Sequence, residues 1–61
     1  MQSRLRNRLR KFLDSEGVTQ KFIAKKICIN TSILSRFKNG QIDLEIADEG
    51  LLEDYLKSKG Y

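Results

Sequence analysis

The sequence contains no proline, no histidine and no tryptophan, and it has one cysteine, Cys28. Each absence removes a class of explanation. A single cysteine makes no internal disulfide, so the chain must hold itself together by packing, and an intracellular, reducing location is the natural expectation. Without histidine there is no imidazole for general acid–base catalysis, and the usual zinc ligands are missing. No enzyme, metal site or cofactor is therefore expected. No stretch approaches the ~18 apolar residues that span a bilayer, and the basic N-terminus is not followed by the apolar run of a secretory signal. There is no repeat and no low-complexity tract. Gly17, Gly40, Gly50 and Gly60 each follow a stretch with helical periodicity, where glycine commonly closes a helix.

What remains is a chain of 61 residues with 39% hydrophobic and 33% charged residues, a globular composition. It holds a single domain, 1–61, and Met1 reads as a natural start. A domain this small buries only about 60% of its unfolded surface, so modest stability is expected. Charge is divided along the chain. Residues 1–42 carry ten Lys/Arg against Asp14 and Glu16, a net +8, whereas residues 43–61 carry six acids against Lys57 and Lys59, a net −4. A basic half of this kind is expected to face a polyanion; an unevenly solvated surface is the plainer alternative.

Apolar spacing predicts an all-α chain of four or five short helices. Leu5, Leu9, Phe12 and Leu13 form one stripe over residues 3–16. Arg4, Arg8 and Lys11 lie opposite that stripe, and Arg6 and Arg10 flank it. Thr19 is an N-cap candidate for a second helix, with Phe22, Ile23, Ala24 and Ile27 on its buried side. Cys28 and Ile29 connect it to a third helix, capped by Asn30, carrying Leu34 and Phe37 inward and stopping at Asn39-Gly40. Asp43 can cap a last segment with a stripe of Leu44, Ala47, Leu51, Tyr55 and Leu56, which Gly50 either splits or kinks.

Two helices of about two turns joined by about three residues have the geometry of a helix-turn-helix, here over residues 19–40. Ala24 is small where the helices cross, and Ile23, Ile27, Ile29, Leu34 and Phe37 are apolar where the unit must be buried. The segment resembles the lambda-repressor/Cro-type helix-turn-helix family. The resemblance rests on Thr19-Gln20, on Ile23-Ala24, and on Leu34-Ser35-Arg36-Phe37-Lys38-Asn39-Gly40. It extends through Asp43-Leu44 and Leu52-Glu53-Asp54-Tyr55-Leu56, covering about residues 18–56. It departs from the family at Cys28, where glycine usually stands in the turn. If Cys28 is left-handed it carries a cost of about 1–2 kcal/mol; otherwise the turn is re-shaped.

The resemblance implies a lambda-repressor-like fold and a double-stranded DNA partner. It also implies a regulatory role, most simply a repressor of a bacterium, phage or mobile element. The candidate DNA-binding residues are Gln20, Asn30, Thr31, Ser32, Ser35, Arg36, Lys38 and Asn39. On a helical wheel Thr31, Ser32, Ser35 and Arg36 lie opposite Leu34 and Phe37, the side that a docked helix turns to the major groove. The Arg36 fork suits guanine O6 and N7, against the alternative of a surface arginine on phosphate or a neighbouring carboxylate. By resemblance Gln20 binds a backbone phosphate, which suits a helix N-terminus. Asn39 matches a phosphate-contacting asparagine and is equally a C-cap, and Lys38 is a further backbone candidate. Ile33 either covers the edge of the core or meets thymine methyl groups. The N-terminal arginines either touch flanking phosphates or are simply solvated.

Such domains commonly bind as symmetric dimers with half-sites about one helical turn apart. A homodimer contact through Leu52 or Leu56 and Tyr61 is the expectation, with packing of that stripe on the first helix as the alternative. The acidic residues Glu45, Asp48, Glu49, Glu53 and Asp54 lack the loop spacing of a calcium site and are expected to face away from DNA, where they repel the duplex. Cys28 is expected to be a turn residue, not a redox switch. The competing function is a protein-interaction module of antitoxin or anti-repressor type, since fold alone does not decide function. A membrane-surface peptide fits residues 3–16 only. No small-molecule ligand is expected.

Overall fold

The computed structural model describes residues 2–61. They form four helices, α1 (Ser3–Glu16), α2 (Gln20–Lys26), α3 (Thr31–Lys38) and α4 (Ile46–Ser58), with no strand among the described residues. The all-α class is as expected, at the lower of the two helix counts. No helix is long and apolar enough to cross a membrane among these residues.

One apolar cluster joins all four helices. Leu5, Leu9 and Phe12 of α1 meet Ile23 and Ala24 of α2, Leu34 and Phe37 of α3, and Leu52 and Leu56 of α4. Ile27, Ile29 and Leu44 enter it from the connections. α3 packs against both α1 and α2, and α4 packs against α1. The first helix is thus the wall shared by α3 and α4, and α2 joins the bundle mainly through α3.

Several expectations about the apolar residues need correction. Phe22 is 45% exposed, because Ile23, Ala24 and Ile27 already occupy the inward arc of α2. Leu44 is buried but precedes α4, while Ala47 and Leu51 face outward. The inward arc is instead Leu52, Tyr55 and Leu56, at the i, i+3, i+4 spacing of one helix face. Gly50 neither ends nor divides the helix. A mid-helix glycine costs about 1 kcal/mol relative to alanine, less than the two buried leucines beyond it contribute. Asp43 does not cap α4; Glu45 holds that position without a side-chain cap bond, and Asp43 instead pairs with Arg6 at 3.3 Å. Leu52 and Leu56 are fully buried and offer nothing to a dimer partner. Tyr61 folds back edge-on to Phe12, with ring centres 5.1 Å apart, and its hydroxyl donates to Glu16.

Three arginines of α1 bind other parts of the chain: Arg6 and Arg8 are half-buried, whereas Arg10, like Arg4, is exposed. Arg6 Nε donates to the Phe37 carbonyl at 2.5 Å, and its Nη2 donates to the Ile42 carbonyl and the Asp43 carboxylate. Its guanidinium also lies 4.7 Å from the centre of the Phe37 ring. Arg10 donates twice to the Lys38 carbonyl, at 3.0 and 2.6 Å. Arg8 reaches the Tyr61 carbonyl and sits 3.8 Å from Glu53. Two guanidinium groups therefore close the C-terminal turn of α3, where free carbonyls and the negative end of the helix dipole favour cations. Gln2 fastens the other side of the same region: its side-chain amide donates to the Leu44 carbonyl and accepts the Leu44 N–H.

Arg6→Ala is expected to lower unfolding free energy by about 2–3 kcal/mol, because charge-assisted bonds to half-buried carbonyls are lost. Arg6→Lys should recover only part, since an ammonium keeps the charge but not the planar fork. Urea unfolding measures both, and a loss for Arg6→Ala under about 0.5 kcal/mol, the scale of an ordinary surface change, would contradict this role.

Candidate nucleic-acid interface

The segment that presents the candidate residues is built by two caps and one left-handed residue. Thr19 is extended, and its hydroxyl accepts the Phe22 N–H at 3.2 Å, which starts α2. At the other end the Ile29 N–H returns to the Ala24 carbonyl at 2.9 Å, a six-to-one bond that requires a left-handed residue between them. That residue is Cys28, with φ +59°. Ile27 and Ile29 on either side of it turn into the core, and Cys28 itself is exposed. Asn30 then starts α3 by accepting the Ser32 N–H at 2.8 Å. The same closure recurs after α3, where Gly40 is left-handed and the Gln41 N–H reaches the Arg36 carbonyl. Of the two readings of the turn, the structure selects the strained one.

α3 has two clearly different sides. Leu34 and Phe37 are fully buried. Thr31, Ser32, Arg36 and Asn39 are exposed and Ser35 is half-buried; at about 100° per residue these five fall within an arc of about 140°. Lys38, half-buried, borders that strip, and Ile33 packs against the core edge from the other side. Ile33 therefore serves the core. Asn39 is the C-cap residue of α3. Gln20, the first residue of α2, is half-buried; it lies on the helix packed against α3.

Charge sharpens this picture. Two ion pairs form among the described residues, Arg6–Asp43 and Arg8–Glu53. Arg36 is in neither, so the carboxylate alternative for it is not realised. Lys21, Lys25 and Lys26 of α2 are exposed, as are Arg4 and Lys11 of α1. The acids concentrate on α4 and just before it. The strip on α3 thus carries hydroxyls, an amide and a guanidinium, which are hydrogen-bonding groups without a nucleophile–base pair.

What sequence reading missed is the positioning role of Arg6 and Arg10. The available signal was their place on the flanks of the apolar stripe. A long side chain at a flank lies along the surface and reaches the next element.

Cys28→Gly is expected to stabilise the fold by about 0.5–1 kcal/mol: relief of the left-handed strain exceeds the added entropy of the unfolded chain. Cys28→Val should destabilise it, because a β-branched residue is an outlier at positive φ. Thermal and urea unfolding read both changes, and a destabilised glycine variant would contradict the strain assigned to Cys28.

Among known proteins, no family profile, no curated sequence and no solved structure gives a significant match to this chain.

Proposed function

We propose that the chain is a sequence-specific double-stranded-DNA-binding regulator in which α2, the turn at Cys28 and α3 act as a helix-turn-helix of lambda-repressor/Cro type. The observation that carries this reading is the α3 strip. Its polar residues are exposed except half-buried Ser35, its arginine pairs with no acid among the described residues, and Leu34 and Phe37 on its opposite side are fully buried. A helix rigid on one side and hydrogen-bonding on the other is what major-groove docking requires.

In this reading α3 enters the major groove. Arg36 donates two parallel bonds to guanine O6 and N7, and Thr31, Ser32 and Ser35 meet adjacent base edges. Asn30 caps the α3 N-terminus through the Ser32 N–H, and the remaining free N–H groups of that first turn suit a backbone phosphate. Gln20, Lys38 and Asn39 hold phosphates and fix the register, as phosphate contacts do without carrying sequence information. The acids of α4 disfavour any orientation that turns that helix to the duplex. Occupation of an operator by such a domain represses by exclusion, in the cytoplasm at the nucleoid. A symmetric dimer on two half-sites would have to use surfaces other than Leu52 and Leu56.

Arg36→Ala should lose about 1–3 kcal/mol of discrimination at one base pair and little at the others. Gln20→Ala, Asn39→Ala and Lys38→Ala should weaken all sequences about equally, and Lys38→Ala should reduce the slope of log K against log salt by about 0.9. Competition binding over a set of single-base variants of the preferred site measures each pattern. An equal loss across all sequences for Arg36→Ala would remove its base-reading role.

A further inference from the structure

Two surface features take no part in the proposed DNA contact. The first is an open cavity of about 270 Å³ between the ends of α1 and α4 and the outer side of α2. Phe12, Val18, Phe22 and Tyr55 supply its apolar lining. Lys26 and Lys59 line it as well, each ammonium 5.6 Å from the centre of a ring, Phe22 and Tyr55 respectively. Its one acid, Glu16, already accepts the Tyr61 hydroxyl at 3.1 Å. An aromatic cavity bordered by two cations suits an apolar side chain flanked by carboxylates.

The second feature has that composition. Ile46 opens α4 and is 87% exposed, well beyond any other large apolar side chain described. Glu45 precedes it, and Asp48 and Glu49 share its turn. We propose that Ile46 of one copy of this chain seats in the aromatic cavity of a second copy, with the acids around it meeting Lys26 and Lys59. Complementary charge and an exposed apolar anchor select this occupant over an unrelated ligand.

The contact is head-to-tail. Ile46 and Tyr55 are nine residues apart on α4, about two and a half turns, so the anchor and the cavity lie on opposite sides of one helix and near its opposite ends. One neighbour cannot satisfy both. A heterologous contact of this kind continues past two copies into a ring or an open chain. Neither surface includes α3, so every copy keeps its polar strip free. The inference is independent of the DNA-binding reading, because it concerns self-association of the protein alone.

A contact built on one apolar anchor falls below the size of stable interfaces, so it is sought by sedimentation equilibrium up to about millimolar protein, where weak complexes populate. The wild-type mass should rise past that of a dimer with concentration, and fall back in high salt as the ion pairs are screened. Ile46→Ser, which lacks the anchor, and the double change Lys26→Glu with Lys59→Glu, which reverses the cavity's charge, alter exposed positions only. Each variant alone should remain monomeric at the same concentrations. An equimolar mixture of the two should give a species of twice the monomer mass and no larger one, since one variant keeps the cavity and the other the anchor. A wild-type monomer throughout, assembly that persists in either variant, or a mixture that stays monomeric would each overturn the proposal.

Discussion

The last turn of α3 must place its free carbonyls somewhere, and their satisfaction by α1 sets the position of nearly everything else. Phe37 and Lys38 turn their carbonyls toward Arg6 and Arg10, while Asn39, Gly40 and Gln41 return their N–H groups to Ser35, Phe37 and Arg36. A helix of eight residues is too short to be stable alone. Here it is held from below by Leu34 and Phe37 and from its end by two guanidinium groups. That leaves the other side of α3 free of any structural duty, which is the condition for a surface that can be given over to recognition.

The same arrangement changes the meaning of the basic half. Arg6 and Arg8 are half-buried and paired with Asp43 and Glu53 of the acidic half, so the net +8 over residues 1–42 overstates what faces outward to a polyanion. Of the exposed cations in that half, Lys21, Lys25, Lys26 and Arg36 lie on α2 and α3, in the helices that carry the proposed contact, and Arg4, Arg10 and Lys11 lie on α1. A less basic but better placed set of charges favours register and orientation over bulk attraction. The acids around α4 border the one strongly exposed isoleucine, and under the proposed function they also disfavour a wrong approach of DNA.

Much of this was legible in the sequence, because local rules and packing agree through α1, α2 and α3. The stripe of Leu5, Leu9 and Phe12, the caps at Thr19 and Asn30, and the stops at Gly17 and Gly40 all lie where periodicity and cap chemistry put them. α4 is less legible for a physical reason. Its outward face carries Ile46, Ala47 and Leu51, so apolarity alone does not identify the buried arc, and Gly50 imitates a helix end. Phe22 misled in the same manner, as an aromatic on the outer side of a short helix. The arginine clamp was invisible because it joins residues some thirty positions apart, and sequence spacing along one helix reports only that helix's own faces. On the candidate interface, the polar side of α3 was readable from its wheel, whereas the absence of an acidic partner for Arg36 required the structure.

The account stands or falls on whether the α3 strip reads sequence. Selection of random DNA duplexes on the purified protein at about 0.1–0.15 M salt, where long-range nonspecific attraction is screened, tests this most directly. The account predicts an enriched motif containing a guanine whose preference is lost when Arg36 is replaced. Weak, salt-sensitive binding without any enriched sequence would contradict it.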